Sequence, residues 1–385
     1  MTVSRLALLG GAPQFERERV VGQFNFPPWP QLEDALRGIF ARRYYNNDGP
    51  LLGELEERLR TLFDTRHAIC VHNETLGLLM LADALRPAAR SIVPGFGAPA
   101  SAQALSRAGL DFDLCDADPA GARMATDHLE ALLARPTGAI FAASLWGDLT
   151  DLPTWQRLAG RAGCPLIIDA SHVCAPIVGG RPLARQADAV VYALGKENML
   201  NALEGGCICT DDDQLAARLR TMRPSYGDFP AVPVHRVANA RMSEAQAALL
   251  LLSLDAFETY RSRNAGLRAS YVKALEAIPG VALFEPGGDE RPSMEHAVCR
   301  IDSRLFGLSA SATIATLHAE GVIARRPSLC GIPSRGNLAR AIILQTDTVV
   351  LPLGSPVSEH DIATIGELLE ISRHHASELT SAHVE

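Results

Sequence analysis

The sequence predicts an α/β protein built on a mostly parallel sheet, followed by a smaller α+β unit. Three observations carry this. Short apolar segments alternate with helical ones through the first two-thirds of the chain. The apolar segments are hydrophobic at nearly every position, the pattern of strands covered on both faces. The chain has 385 residues, enough for one large domain and a smaller one.

The elements follow in order. HAICV at 67–71 is a short apolar strand, and TLGLLMLADAL after it is helical. SIVP precedes the helical SAQALSRAG, which stops at a glycine. DFDLCDAD is a strand with acidic residues at its end, followed by the helix DHLEALLAR and the buried strand GAIFAAS. DLPTWQRLAGRAG is a helix, PLIIDAS a strand ending near Asp169, and ADAVVYAL and GGCICT two further strands. Ligands of such sheets sit at the carboxyl ends of the strands. Asp118, Ser144, Asp169 and the stretch after Leu194 fall at such ends. A long helical region with two breaks runs from 242 to 278 and closes at a Pro-Gly pair. VALFEP, HAVCRID, a helix around 309–321, TVVLPLG and a final helix from Ser358 complete the chain. The division expected is 1–250 for an N-terminal arm and large domain, and 251–385 for the small domain.

Composition excludes several classes. Hydrophobic residues make up 47% and charged residues 21%, as in a soluble globular protein. The apolar runs are too short to span a membrane, and the first residues do not resemble a signal peptide. We therefore expect a cytoplasmic protein. Net charge is −8 with scattered basic residues, so neither nucleic acid nor an anionic membrane is expected as a partner. Eight irregularly spaced cysteines form neither a disulfide framework nor a metal site, and read as reduced core residues.

Several residues could carry chemistry. Asn73, Glu74 and Thr75 stand at a strand-to-helix junction, where free backbone N–H groups can bind an anion; an ordinary N-cap is the simpler reading. Asp169 follows an apolar strand, with His172 three residues on. A carboxylate there could hold a protonated ring nitrogen, or be a solvated loop residue. Asn239 and Arg241 precede a helix capped near Ser243 and could both be plain surface residues.

Taken together, NNDGPLLGELEERL, VHNETLGLLMLADAL, LWGDLTDL, PLIIDASHVCAPIVGGRPL, NALEGGCICTDD and NARMSEAQAALL resemble the DegT/StrS-type sugar aminotransferases, over nearly the whole chain. The resemblance implies a fold type I pyridoxal-phosphate enzyme and a homodimer with active sites shared between subunits. It implies a cofactor phosphate near Asn73, Glu74 and Thr75, Asp169 on the pyridine nitrogen, His172 beside the ring, and Asn239 reaching in from the partner chain.

The resemblance also implies a lysine six residues before the glutamate of the Glu-Gly-Gly turn. Counting back from Glu204 gives Asn198, whose carboxamide cannot form an aldimine; Lys196 is two residues too early. Ala193 stands where the family has a phosphate-binding serine, and Ala98 where it has a ring-stacking aromatic. Three departures in one direction suggest a site given up or rebuilt. No covalent cofactor is expected; pyridoxal or pyridoxamine phosphate held without a bond is the variant.

The main expectation is a biosynthetic enzyme acting on a small keto or amino substrate (a sugar, cyclitol or secondary-metabolite precursor), with His172, Asp169, Lys196 and Glu197 as acid/base groups. One alternative is a conventional transaminase using Lys196, since residues two apart in extended chain share a face. Another is a non-catalytic partner of an active paralogue. Trp146, Arg241, Arg325 and Arg326 are the candidate substrate contacts, with 224–236 and 324–337 as substrate-facing loops.

Overall fold

A computed structural model of the chain describes residues 5–45, 48–97, 99–174, 177–224, 232–285, 287, 295–329 and 338–382. Seven strands make the main sheet: β1 His67–Val71, β2 Ser91–Pro94, β3 Phe112–Cys115, β4 Ala139–Ala143, β5 Leu166–Ala170, β6 Ala189–Ala193 and β7 Gly206–Thr210. Their order across the sheet is β1-β7-β6-β5-β4-β2-β3. Only β7 runs antiparallel, against β1 and β6. The other pairings are parallel, with Ala143 opposite Asp169 and Asp169 opposite Val191.

The apolar runs are explained by two cores, one on each face. Cys70, Ile92, Ile140, Ile168 and Val190 enter one core, while Ile69, Val93, Phe141, Ile167 and Val191 enter the other. Side chains alternate along a strand, so a sheet covered by helices on both sides needs apolar residues at every position. All five residues of β4 and of β5 are buried.

The predicted helical region from 242 to 278 is two helices, α1 Glu244–Asp255 and α2 Phe257–Leu275, meeting at Ala256. Ser243 caps α1 with a capping box to Gln246, which fixes its start. Ala247 and Leu250 of α1 lie in a core of the large sheet, whereas Leu267 and Tyr271 of α2 lie in the second unit's core. That unit has a three-stranded antiparallel sheet, β8 Val281–Leu283, β9 Ala297–Ile301 and β10 Thr348–Leu351, with β9 in the middle. Its last long helix, α3 Glu359–His374, is capped by Ser358 and packs along α2.

The N-terminal segment departs from the sequence expectation, which placed it with the large domain. Leu6 is buried in the second unit's core, and Arg19–Val20 pair in parallel with Val322–Ile323. Partners some three hundred residues away leave no local trace in the sequence. Beyond this pairing the chain turns back toward the large sheet, where the Gln23 and Phe24 N–H groups donate to the carbonyls of Glu197 and Lys196. Among the described residues no helix is long and apolar enough to cross a membrane.

Candidate active site

A cleft of about 470 Å³ opens beside the carboxyl ends of β4, β5 and β6, bounded by the start of the helix Glu74–Leu85 and by residues 325–328 of the second unit. This is where a doubly covered sheet leaves room for a ligand. Of the predicted site residues, Glu74, Thr75, Trp146, Asp169, His172, Glu197, Asn198, Arg325 and Arg326 all line it, as does Ala193.

Asp169 forms the floor. It is only 3% exposed, and its Oδ1 accepts from both the N–H and the hydroxyl of Ser171. Burial pushes its carboxyl above the ordinary range, against the pull of those two bonds. Glu74 stands nearby as the first residue of its helix. Burial and then the Asp169 carboxyl push Glu74 up to about 7. Asn73 is the N-cap, with Oδ1 accepting from the Leu76 N–H at 2.9 Å, and it does not line the cleft. The simpler reading of Asn73 therefore describes its side chain.

His172 lies on the wall, where burial pushes its imidazole down to about 4, so that the ring is neutral near pH 7. Its Nδ1 faces the Trp146 N–H at 3.5 Å. The His296 ring lies 4.6 Å away, centroid to centroid, and is pushed well below the usual histidine range by burial and by His172. Trp146 adopts a left-handed backbone (φ 53°) and meets Phe96 and Phe284 edge to face.

The segment after β6 differs from the extended chain that would put Lys196 and Asn198 on one face. The Asn198 N–H donates to the Gly195 carbonyl at 2.9 Å, closing a turn. Lys196 sits at the turn's apex, exposed and outside the cleft lining. Asn198 points inward: its Nδ2 donates to the Ser171 carbonyl at 2.8 Å, and its Oδ1 accepts from the Gly195 N–H at 3.2 Å. The chain's other lysine, Lys273, is on α2 in the second unit. Neither lysine of this chain lines the cleft.

Glu197 is held by Arg325 at 2.9 Å, and Arg326 is exposed at the mouth. Arg241 does not line the cleft; its Nε donates to Asn239 Oδ1 at 2.9 Å, on the exposed side of a residue with left-handed φ of 48°. Ala98 and most of the two proposed loops, at 225–231 and 330–337, lie outside the described residues.

Sequence reasoning missed Glu295 and His296. Glu295 is 3% exposed behind Asn198; its Oε1 accepts from the Met199 N–H at 2.7 Å. Burial pushes it up to about 7, against bonds from Met199 and the Asn198 amide. No local signal could have joined HAVCRID to a turn nearly a hundred residues earlier.

Residues 31–328 match the DegT/DnrJ/EryC1/StrS aminotransferase family. The chain belongs to that family. The dTDP-4-amino-4,6-dideoxy-D-glucose transaminase of Shigella dysenteriae is 23% identical over 81% of this chain and 84% of its own. The dTDP-3-amino-3,4,6-trideoxy-alpha-D-glucose transaminase of Streptomyces venezuelae is 26% identical over 80% and 83%. The crystal structure of DesI in the presence of its TDP-sugar product superposes with a TM-score of 0.92 at 31% identity, covering 99% of this chain and all of that one. A 3-amino-5-hydroxybenzoic acid synthase shares the fold at 19% identity, with a TM-score of 0.78. Within the DegT/DnrJ/EryC1/StrS fold, the cleft described above occupies the strand ends at which such α/β sheets bind ligands.

Proposed function

We propose that this chain acts on a nucleotide-linked keto or amino sugar in a biosynthetic sequence, without a lysine-bound pyridoxal phosphate. The observation that carries this is Asn198. Its carboxamide is fastened inside the cleft to Ser171 and Gly195, at the position where the family resemblance calls for the lysine. The exposed Lys196 counts against the conventional transaminase reading. The residues present do not fit a lysine-held cofactor, so no step is routed through one.

The remaining groups suffice for proton movement on a bound sugar. Neutral His172 can take a proton from a substrate carbon or hydroxyl. Glu74, at about 7, can hold or release one near physiological pH. Trp146, wedged against Phe96 and Phe284, offers an apolar wall that excludes water from one side. Arg326, at the mouth, suits a diphosphate. Exposed Phe26, Trp29, Phe40 and Leu203 support a homodimer, with Asn239 and Arg241 on the outer surface where a second subunit could use them.

The test is thermal unfolding with thymidine diphosphate-linked 4-amino and 4-keto hexoses, compared with thymidine diphosphate alone. The sugar nucleotides should raise the melting temperature beyond the diphosphate, and Arg326→Ala should remove most of the rise. No rise with any sugar nucleotide contradicts the proposal. Binding without turnover points instead to a non-catalytic partner of an active paralogue.

A further inference from the structure

We propose that Glu74 is a built-in anion of the cleft, whose carboxylate takes the place a phosphate would occupy and so excludes a phosphorylated pyridine cofactor. The inference rests on the reading of Asn198 above, but extends it from the covalent bond to non-covalent binding.

The start of an α-helix presents N–H groups without intrahelical partners, and these attract anions. In the helix Glu74–Leu85 one of them is already engaged. The Leu76 N–H goes to Asn73 Oδ1. The Glu74 carboxylate stands at the same helix start, and its Oε2 accepts from the Thr75 hydroxyl at 3.4 Å. The helix cannot retreat to make room, because the first residue of β7 packs directly against it. A Cβ built on Gly206 would lie 2.7 Å from the Asn73 carbonyl carbon and from the Glu74 nitrogen.

Among the described residues no cationic side chain pairs with Glu74. The Asp169 and Glu204 carboxyls both add to the negative field at Glu74. Arg325, the nearer of the two cleft arginines to Glu197, is paired with it at 2.9 Å. Ala193 brings no hydroxyl to the cleft wall. A phosphate dianion entering here would meet carboxylates in a confined cleft where screening is weak.

The experiment is a calorimetric titration of the full-length chain at mildly alkaline pH with pyridoxamine 5′-phosphate, pyridoxamine and inorganic phosphate. Wild type, Glu74→Ser and Glu74→Gln are compared, with folding checked by circular dichroism. The wild type should show no binding of pyridoxamine phosphate below millimolar concentration. Glu74→Ser should tighten pyridoxamine phosphate at least ~10-fold and gain phosphate binding, with pyridoxamine unchanged. Glu74→Gln, which keeps size and shape, should move in the same direction if Glu74→Ser fails to fold. Micromolar, phosphate-dependent binding by the wild type overturns the proposal. So does an unchanged affinity in the folded variants. Tight wild-type binding of pyridoxamine phosphate, with no covalent adduct when pyridoxal phosphate and then borohydride are added instead, sinks the role of Glu74 alone and spares the reading of Asn198.

Discussion

Glu74→Gln should make the protein more stable, and only at neutral to alkaline pH. Glu74 is raised from 4.5 to about 7 by burial and by Asp169. The native state therefore keeps a proton that the unfolded chain releases between those two values. Stability conferred by that proton is full below 4.5, declines as pH climbs toward 7, and is absent above it. Two and a half units correspond to about 3 kcal/mol at ~1.36 kcal/mol each, an upper value because part of the rise comes from the charge of Asp169, which titrates as well. Gln keeps the acceptor oxygen for Thr75 and carries no charge, so the variant escapes the loss. Unfolding entropy of ~2 cal/mol/K per residue makes this a rise of up to about 4 °C for a chain of this length. The assay is scanning calorimetry of both proteins at about pH 5 and about pH 8, where all other titrating groups are common to the pair. The variant should gain at the higher pH and lose most of that gain at the lower. Equal differences at both values, or a less stable variant at the higher, would refute the reasoning.

Other outcomes follow from the same cleft. His172 is held down to about 4, so the wild type loses stability as pH falls from 6.5 toward 4. His172→Gln should shift the acid-unfolding midpoint to lower pH, as followed by tryptophan fluorescence. Asn198→Ala leaves the Ser171 carbonyl and the Gly195 N–H without the amide, and should cost about 1–3 kcal/mol in urea unfolding. Trp146→Ala removes the ring between Phe96 and Phe284, and should cost ~3 kcal/mol and weaken sugar-nucleotide binding measured by calorimetry.

Much of the large sheet was legible because its strands are buried on both faces, which writes a near-continuous apolar run such as AIFAA or LIIDA into the sequence. Capped helix starts were equally plain: Ser243 and Ser358 both close capping boxes. Long-range partnership was not legible. Leu6 gives no sign that its core lies in the second unit, nor Glu295 that it sits behind Asn198. The Lys196 alternative rested on an extended backbone; the turn closed by Gly195 and Asn198 turns that lysine outward. Glu74 was visible at the strand-to-helix junction, but its burial beside the Asp169 carboxyl was not.

The central claim is that an amide stands where the fold calls for an amine. The most direct measurement is peptide mass mapping after incubation with pyridoxal phosphate and reduction by borohydride. With only Lys196 and Lys273 available, the account predicts no stoichiometric pyridoxyl adduct on either. A one-to-one adduct on Lys196 would contradict it.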